Sequence, residues 1–63
     1  MKNDHYLFVA RLILNRMFQE RADAETISNN HKIKELKEAY MLLADLYDSI
    51  IVTIQKHIAE HEN

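Results

Sequence analysis

A single apolar seam from Ile33 to Ile58 constrains this chain more than any other feature of its sequence. Apolar residues recur along it at alternating spacings of three and four, which places them on one side of a helix with about 3.6 residues per turn. At about 1.5 Å per residue this helix would extend for roughly 40 Å, too far for one small compact domain to cover. The seam consists of Ile33, Leu36, Tyr40, Leu43, Tyr47, Ile50, Ile54 and His57.

A second amphipathic segment precedes the seam, and either Asn3 or Asp4 is a suitable N-cap for it. Ser28-Asn29-Asn30 is the best candidate for a sharp turn, because Asn tolerates the left-handed conformation that ends a helix. A break that starts earlier, at Arg21–Glu25, is the less favoured alternative. The sequence therefore predicts one all-α domain over residues 1–63, an antiparallel helical hairpin with helix 1 at about 4–28, a turn at about 28–30 and helix 2 at about 31–61.

Both helices carry apolar stripes that are wider than one neighbouring helix can cover. Chains shorter than roughly 70–80 residues usually depend on disulfides, metals or partners, and this chain of 63 residues has no Cys. We therefore expect the hairpin to dimerise into an antiparallel four-helix bundle. The predicted core consists of Tyr6, Ala10, Ile13, Met17, Ile27, Ile33, Leu36, Tyr40, Leu43, Tyr47, Ile50 and Ile54.

Glu20 and Arg21 occupy a turn of helix 1 where core residues would be expected. The ordinary interpretation is that their long side chains carry the charged groups past the seam into solvent. The alternative is that one of them bonds a tyrosine hydroxyl of helix 2 and fixes the register of the two helices. Tyr40 and Tyr47, seven residues apart on the seam, are interpreted as core rings rather than as catalytic hydroxyls.

Six apolar residues point away from the main stripes and are candidates for contact with a partner. Phe8 and Leu12 are four residues apart, so they form one outward patch on helix 1. The leading hypothesis is a small non-enzymatic regulator, adaptor or inhibitor that self-associates and docks on a larger protein. The alternative is that the same residues serve a higher oligomer. The candidate docking residues are Phe8, Leu12, Phe18, Met41, Leu42 and Val52.

Histidines gather at the end of the hairpin where the first residues meet the last turns of helix 2. His57 and His61 have the spacing with which one helix can offer two imidazoles to a metal, and His5 or Asp4 could be a third ligand. A pH-sensitive helix end is a second interpretation, because a cationic His interacts well with a helix C-terminus. Solvated terminal residues are the simplest one, so we assign no metal and no cofactor.

No catalytic constellation is visible in the sequence. Ser28 and Ser49 have no His at triad-like positions, and a helical hairpin offers no enclosed pocket of the usual enzyme kind. The absence of Gly excludes the Gly-rich loops that bind phosphate groups. The chain is therefore expected not to be an enzyme.

Nucleic acid and membranes are not the expected partners. The formal net charge is −2, and Arg11, Arg16 and Arg21 turn around helix 1 instead of forming a stripe. The sequence has neither a signal peptide nor an apolar run long enough to span a membrane, so we expect a cytoplasmic protein.

Two alternative functions follow from the hairpin shape. In size and shape the chain resembles the Rop family of plasmid copy-number proteins, although no residues match. That resemblance implies a dimeric four-helix bundle that binds RNA or DNA. The other alternative is a small secretion-type chaperone whose two helices hold an amphipathic helix of its partner.

Overall fold

The fold is that of a computed structural model, which describes the backbone of residues 2–62 and the side chains of residues 5–62. Helix α1 comprises Lys2–Asn30 and helix α2 comprises Lys34–Glu62, each of 29 residues. Tyr6 lies beside His61 at one end, and Ser28 lies beside Lys37 at the other. The two helices are therefore antiparallel, and the predicted all-α hairpin is confirmed.

The turn lies at residues 31–33, three residues later than predicted. The side-chain amide of Asn30 donates a 3.0 Å hydrogen bond to the carbonyl of Thr26 one turn back, and the backbone N–H of His31 donates a 3.4 Å bond to the carbonyl of Ser28, one of the carbonyls left free at the end of the helix. The Nδ1 atom of His31 accepts a 3.2 Å hydrogen bond from the backbone N–H of Ile33, so His31 directs the chain into α2. Among the described residues none has a positive φ. The prediction that an asparagine ends helix 1 in the left-handed conformation is therefore wrong.

Two other predicted boundaries also differ from the structure. The predicted turn at 28–30 is the last part of α1, and the alternative break at Arg21–Glu25 is helical as well. Asn3 and Asp4 lie within α1 instead of preceding it, so neither is an N-cap. No Gly or Pro interrupts the first residues, and the helix starts earlier for that reason.

The helices meet along rows that repeat every seven residues, as in a coiled coil. Small side chains fill these rows near the turn, where Ala24 and Ala44 are each 3% exposed and Ser28 is fully buried. Larger side chains, Ile51 and Ile58, fill them farther along. The interface rows contain Leu7, Ala10, Leu14, Met17, Arg21, Ala24, Ser28 and His31 of α1, and Tyr40, Ala44, Tyr47, Ile51, Ile54 and Ile58 of α2.

The predicted core is only partly correct for the hairpin itself. Its members that lie half-buried in the interface rows are Ala10, Met17, Tyr40, Tyr47 and Ile54. The others are exposed, because the contact between the helices uses the adjacent row, where small residues allow the two backbones to approach closely. These exposed members are Tyr6, Ile13, Ile27, Ile33, Leu36, Leu43 and Ile50.

The hairpin is long and thin. Its Cα atoms extend over 49 × 14 × 10 Å with a radius of gyration of 14.6 Å, whereas a compact chain of this length has about 10.6 Å. Neither helix, over residues 2–62, contains an apolar stretch long enough to cross a membrane. Contact between α1 and α2 therefore leaves much of the apolar surface of both helices exposed on the outside of the hairpin.

Candidate interaction surfaces

One side of the helix interface is a continuous apolar surface. Near the chain termini it contains a groove of about 500 Å³ whose walls come from both helices. The residues that line it are His5, Tyr6, Val9, Ala10 and Ile13 of α1, with Ile54 and His57 of α2. Ala10 and Ile54 also belong to the interface rows. The groove therefore exposes one side of the contact between the two helices.

The rows that form this groove continue as far as the turn. Ile27 follows Ile13 by two heptads, and Leu36, Leu43 and Ile50 precede His57 at intervals of seven residues. Helical residues seven apart lie on the same side, so the apolar surface extends along the whole hairpin. We call this surface the open face, and it is defined by Tyr6, Ile13, Ile27, Leu36, Leu43 and Ile50, all of which are exposed.

Two ionisable residues stand in the rows of the open face. Glu20 lies between Ile13 and Ile27, is half-buried, and accepts a 2.9 Å hydrogen bond from Nε of Arg16. His57 ends the row of α2 and lines the groove. The remaining positions of both rows are apolar, so a partner can cover the open face while desolvating few charges.

The opposite side of the interface is linked by ion pairs between the helices. Nη2 of Arg11 lies 2.5 Å from Oε2 of Glu62, and Nη1 of Arg21 lies 2.6 Å from Oδ1 of Asp48. We call these four residues the ion-pair flank. The hairpin is thus two-sided, with paired charges along one edge of its core and apolar side chains along the other.

The bond proposed between Glu20 or Arg21 and a tyrosine hydroxyl is wrong, because both side chains bond charged groups. Arg21 bonds Asp48 and Glu20 bonds Arg16. The guanidinium carbon of Arg21 also lies 5.3 Å from the centroid of the Phe18 ring, a cation–π contact. Phe18 is therefore half-buried, and its ring contributes to the ion-pair flank.

The other candidate docking residues fall into separate places. Phe8 and Leu12 are 62% and 54% exposed and line one shallow groove with Leu7, Arg11 and Asn15. We call Phe8 and Leu12 the outer patch. The structure therefore brings this pair together on the outside of α1, near the chain termini.

Met41, Leu42 and Val52 are also exposed, but they lie elsewhere on α2. Met41 and Leu42 are close to the turn, roughly 25 Å along the helix axes from the outer patch. Val52 lies near the middle of α2. The six candidates do not form one surface.

The terminal histidines make different contacts. The ring of His61 stacks on Tyr6 with centroids 4.0 Å apart, and its Nδ1 lies 3.2 Å from the carbonyl oxygen of His57. His5 and His57 line the open-face groove. Within the described side chains no three metal-binding groups converge, and the side chain of Asp4 lies outside them. His5 and His57 thus line the groove directly, and His61 packs on Tyr6, another residue of that lining.

The serine hydroxyls both donate to backbone carbonyls. Ser28 bonds the carbonyl of Lys37 at 2.8 Å, and Ser49 bonds that of Asp45 at 3.3 Å. The ring of Tyr40 stacks on His31 with centroids 6.1 Å apart. The bond of Ser28 therefore joins the two helices, whereas that of Ser49 stays within α2.

Sequence reasoning missed the division into an open face and an ion-pair flank. Two adjacent heptad rows of α1 are both largely apolar, so periodicity alone does not show which one meets α2. The available signal was residue size, because Ala24, Ser28 and Ala44 mark the rows that allow close approach. Val9, which lines the groove, and Leu46 are also exposed; the sequence placed both beside the apolar stripes but not among the candidate docking residues.

Comparison with known proteins provides no further guide to these surfaces. No protein-family model, no curated protein and no solved structure matches this chain.

Proposed function

We propose that this chain is a small non-enzymatic protein-interaction module that acts in the cytoplasm as a homodimer, assembled as a four-helix bundle, and docks on a larger protein as its regulator, adaptor or inhibitor. The observation that carries this proposal is the presence of exposed apolar residues on two separate sides of one hairpin. Ile13 on the open face is 46% exposed, and Phe8 in the outer patch is 62% exposed. Contiguous exposed apolar surface is typical of protein contact sites.

Self-association is supported by the small size of the hairpin core. The described hydrophobic residues that are buried are Ala24, Ala44, Ile51 and Ile58, two of which have only a methyl side chain. Burial of a large aliphatic side chain contributes about 1.5–3 kcal/mol to stability. A second hairpin that buried the isoleucines and leucines of the open face would therefore contribute more stability than the methyl groups of Ala24 and Ala44 do.

Docking of a larger protein is supported by the outer patch. Phe8 and Leu12 lie on the outside of α1, away from the interface with α2, and aromatic side chains are enriched at the centres of protein interfaces. Assembly through the open face leaves this patch accessible. The two surfaces therefore support two different contacts.

The nucleic-acid alternative has less support from the contacts of the arginines. Arg11 pairs with Glu62, Arg16 with Glu20, and Arg21 with Asp48. A phosphate would have to compete with a carboxylate at each of these positions, and binding would lose the intramolecular pair.

The mass of the protein in solution is the first test of this proposal. We expect light scattering to give twice the chain mass of 7.5 kDa, and we expect the melting temperature to rise with protein concentration, because association stabilises the folded state by mass action. A monomer that melts cooperatively at every concentration would contradict the homodimer. If that monomer bound an amphipathic helical peptide, the chaperone alternative would replace it.

The docking surface is tested by affinity capture from host lysate with three proteins. These are the native chain, the double variant Phe8→Asp/Leu12→Asp, and Leu42→Asp, which alters an equally exposed residue near the turn. We expect the double variant to remain dimeric and to lose a partner that the native chain and Leu42→Asp both retain. Loss of self-assembly in the double variant would instead assign the outer patch to a higher oligomer.

A further inference from the structure

We propose that a second copy of this chain covers the open face in the antiparallel orientation, with the turn of each hairpin packed against the terminal groove of the other. This inference rests on the proposed homodimer and specifies its contact surface and its geometry. It also assigns roles to Ile27 and Leu36, which the contact between α1 and α2 leaves exposed.

The surface area of the hairpin fits a partner of this size. The accessible surface is 5010 Å², whereas a compact folded protein of 7.5 kDa exposes about 4,250 Å². The excess is roughly 750 Å², and a standard protein interface buries about 800 Å² on each partner. One further hairpin would therefore bring the surface of each chain to that of an ordinary compact protein.

The chemistry of the open face also favours a second copy. Apart from Glu20 and His57, the rows of the open face are apolar along both helices, so the surface that covers them must be largely apolar over the same length. The open face of another hairpin meets that requirement, and a two-fold axis matches the same patch on both chains. Covering it would complete the burial of Ala10 and Ile54, which are half-buried in the hairpin core.

The two ends of the open face differ in shape, and this difference selects the orientation. At the terminal end the helices leave a groove of about 500 Å³ between them. Near the turn, the small buried residues Ala24, Ser28 and Ala44 allow the helices to lie close together, so the exposed Ile27 and Leu36 stand beside a closed contact and not beside a groove. The open face therefore has a groove between the helices at one end, and a closed contact with exposed apolar side chains beside it at the other.

An antiparallel pair brings each groove against the exposed apolar side chains near the turn of the other copy. A parallel pair would set groove against groove and leave a void between the two copies. Protein interiors are close-packed, and atoms that line a void lose their dispersion contacts. In the antiparallel pair the exposed side chains near each turn fill the groove of the other copy and become buried there.

Orientation is tested by a distance between spin labels on the two turns. The native chain has no Cys, so Lys32→Cys, at an exposed position in the turn, provides a single site for a nitroxide label. The hairpin is 49 Å long, and we expect the two labels of a dimer to lie about 40 Å or more apart. Labels within about 25 Å of each other would show a parallel pair and overturn the orientation.

The contact surface is tested by charge substitutions with a matched control. Ile13→Glu and Ile50→Glu each place a carboxylate on the open face, and we expect the dimer dissociation constant to increase roughly tenfold or more. Leu42→Glu changes an exposed apolar residue outside the open face and should leave the constant within about twofold of the native value. Circular dichroism establishes that each variant is helical, and Ile13→Ala and Ile50→Ala provide milder changes if a charged variant unfolds.

The outcomes separate this inference from the proposed function. A native chain that is monomeric in light scattering contradicts the homodimer itself. If the Ile13 and Ile50 variants stay dimeric and Leu42→Glu dissociates, the homodimer is retained. The assignment of its contact surface to the open face is then overturned. A dimer weakened at Ile13 and Ile50, with distant labels at residue 32, is the result we expect.

Discussion

The hydroxyl of Ser28 donates a 2.8 Å hydrogen bond to the backbone carbonyl of Lys37, and no part of Ser28 is exposed. This contact joins the last turns of α1 to the first turns of α2, where the two backbones are close together. The side chain therefore has two roles: its oxygen makes the bond, and its small volume permits the approach.

Substitutions at Ser28 should separate these two roles. Ser28→Ala keeps the small volume and removes the bond, so we expect the free energy of unfolding to fall by about 1 kcal/mol. Ser28→Leu adds volume at a fully buried position, and we expect a loss of about 2–3 kcal/mol. Urea denaturation at one fixed protein concentration measures both. Equal stability of the two variants would contradict the close approach of the helices.

The ion pair of Asp48 with Arg21 should contribute only weakly to the free energy of unfolding. Their side chains are 58% and 32% exposed, and partly exposed ion pairs typically contribute about 0.2–1 kcal/mol. We expect Asp48→Ala to cost less than about 1 kcal/mol. Arg21→Ala should cost more, because it also removes the guanidinium that lies over the Phe18 ring and an aliphatic stem that stands in an interface row.

A double-mutant cycle of Arg21→Ala and Asp48→Ala measures the coupling directly. A coupling energy indistinguishable from zero would mean that the pair contributes nothing to the stability of the hairpin. The matched control is Asp45→Ala, which removes a carboxylate from α2 one turn away from Asp48.

The stack of His61 on Tyr6 should protect the end of α2. His61→Ala removes one ring of the pair, so we expect faster amide hydrogen exchange over residues 57–62, corresponding to a local loss of about 0.5–1.5 kcal/mol. His61→Phe keeps an aromatic ring and should retain most of the protection. Similar exchange in both variants would show that the stacked rings do not hold this end of the helix.

The sequence was sufficient to predict the two helices and their antiparallel pairing, because apolar spacing of three and four residues persists over both segments. It was not sufficient to predict which apolar row meets the other helix. On α1 the row of Tyr6, Ile13 and Ile27 is more hydrophobic than the adjacent row that contains Arg21 and Ser28, yet the latter forms the contact. Side-chain volume decided the outcome, since small residues allow closer packing.

The position of the turn was not predictable for a related reason. The chain has no Gly or Pro, and two consecutive asparagines were the strongest turn signal available. In the structure Asn30 is the last residue of α1, and its side-chain amide donates to the carbonyl of Thr26 one turn back, so it belongs to the helix end and not to the turn. The ring of His31, which accepts a bond from Ile33, was not recognised as a helix-starting group.

Cross-helix ion pairs depend on register, which sequence periodicity does not supply. Arg21 reaches Asp48 because the turn at 31–33 sets those residues at the same height. A shift of the turn by three residues changes the partner of every long side chain along the interface. The ion-pair flank was therefore visible only after the register was known.

The two-sided construction of the hairpin has a consequence for how it responds to dissolved salt. Sodium chloride screens the exposed guanidinium–carboxylate pairs of Arg11 with Glu62 and Arg21 with Asp48, since the Debye length is about 8 Å at physiological ionic strength. Sulfate also screens charges, but its exclusion from protein surfaces strengthens the burial of apolar groups. The choice of anion should therefore matter: chloride weakens the ion pairs between α1 and α2, whereas sulfate weakens them too but favours burial of the exposed apolar residues of the open face.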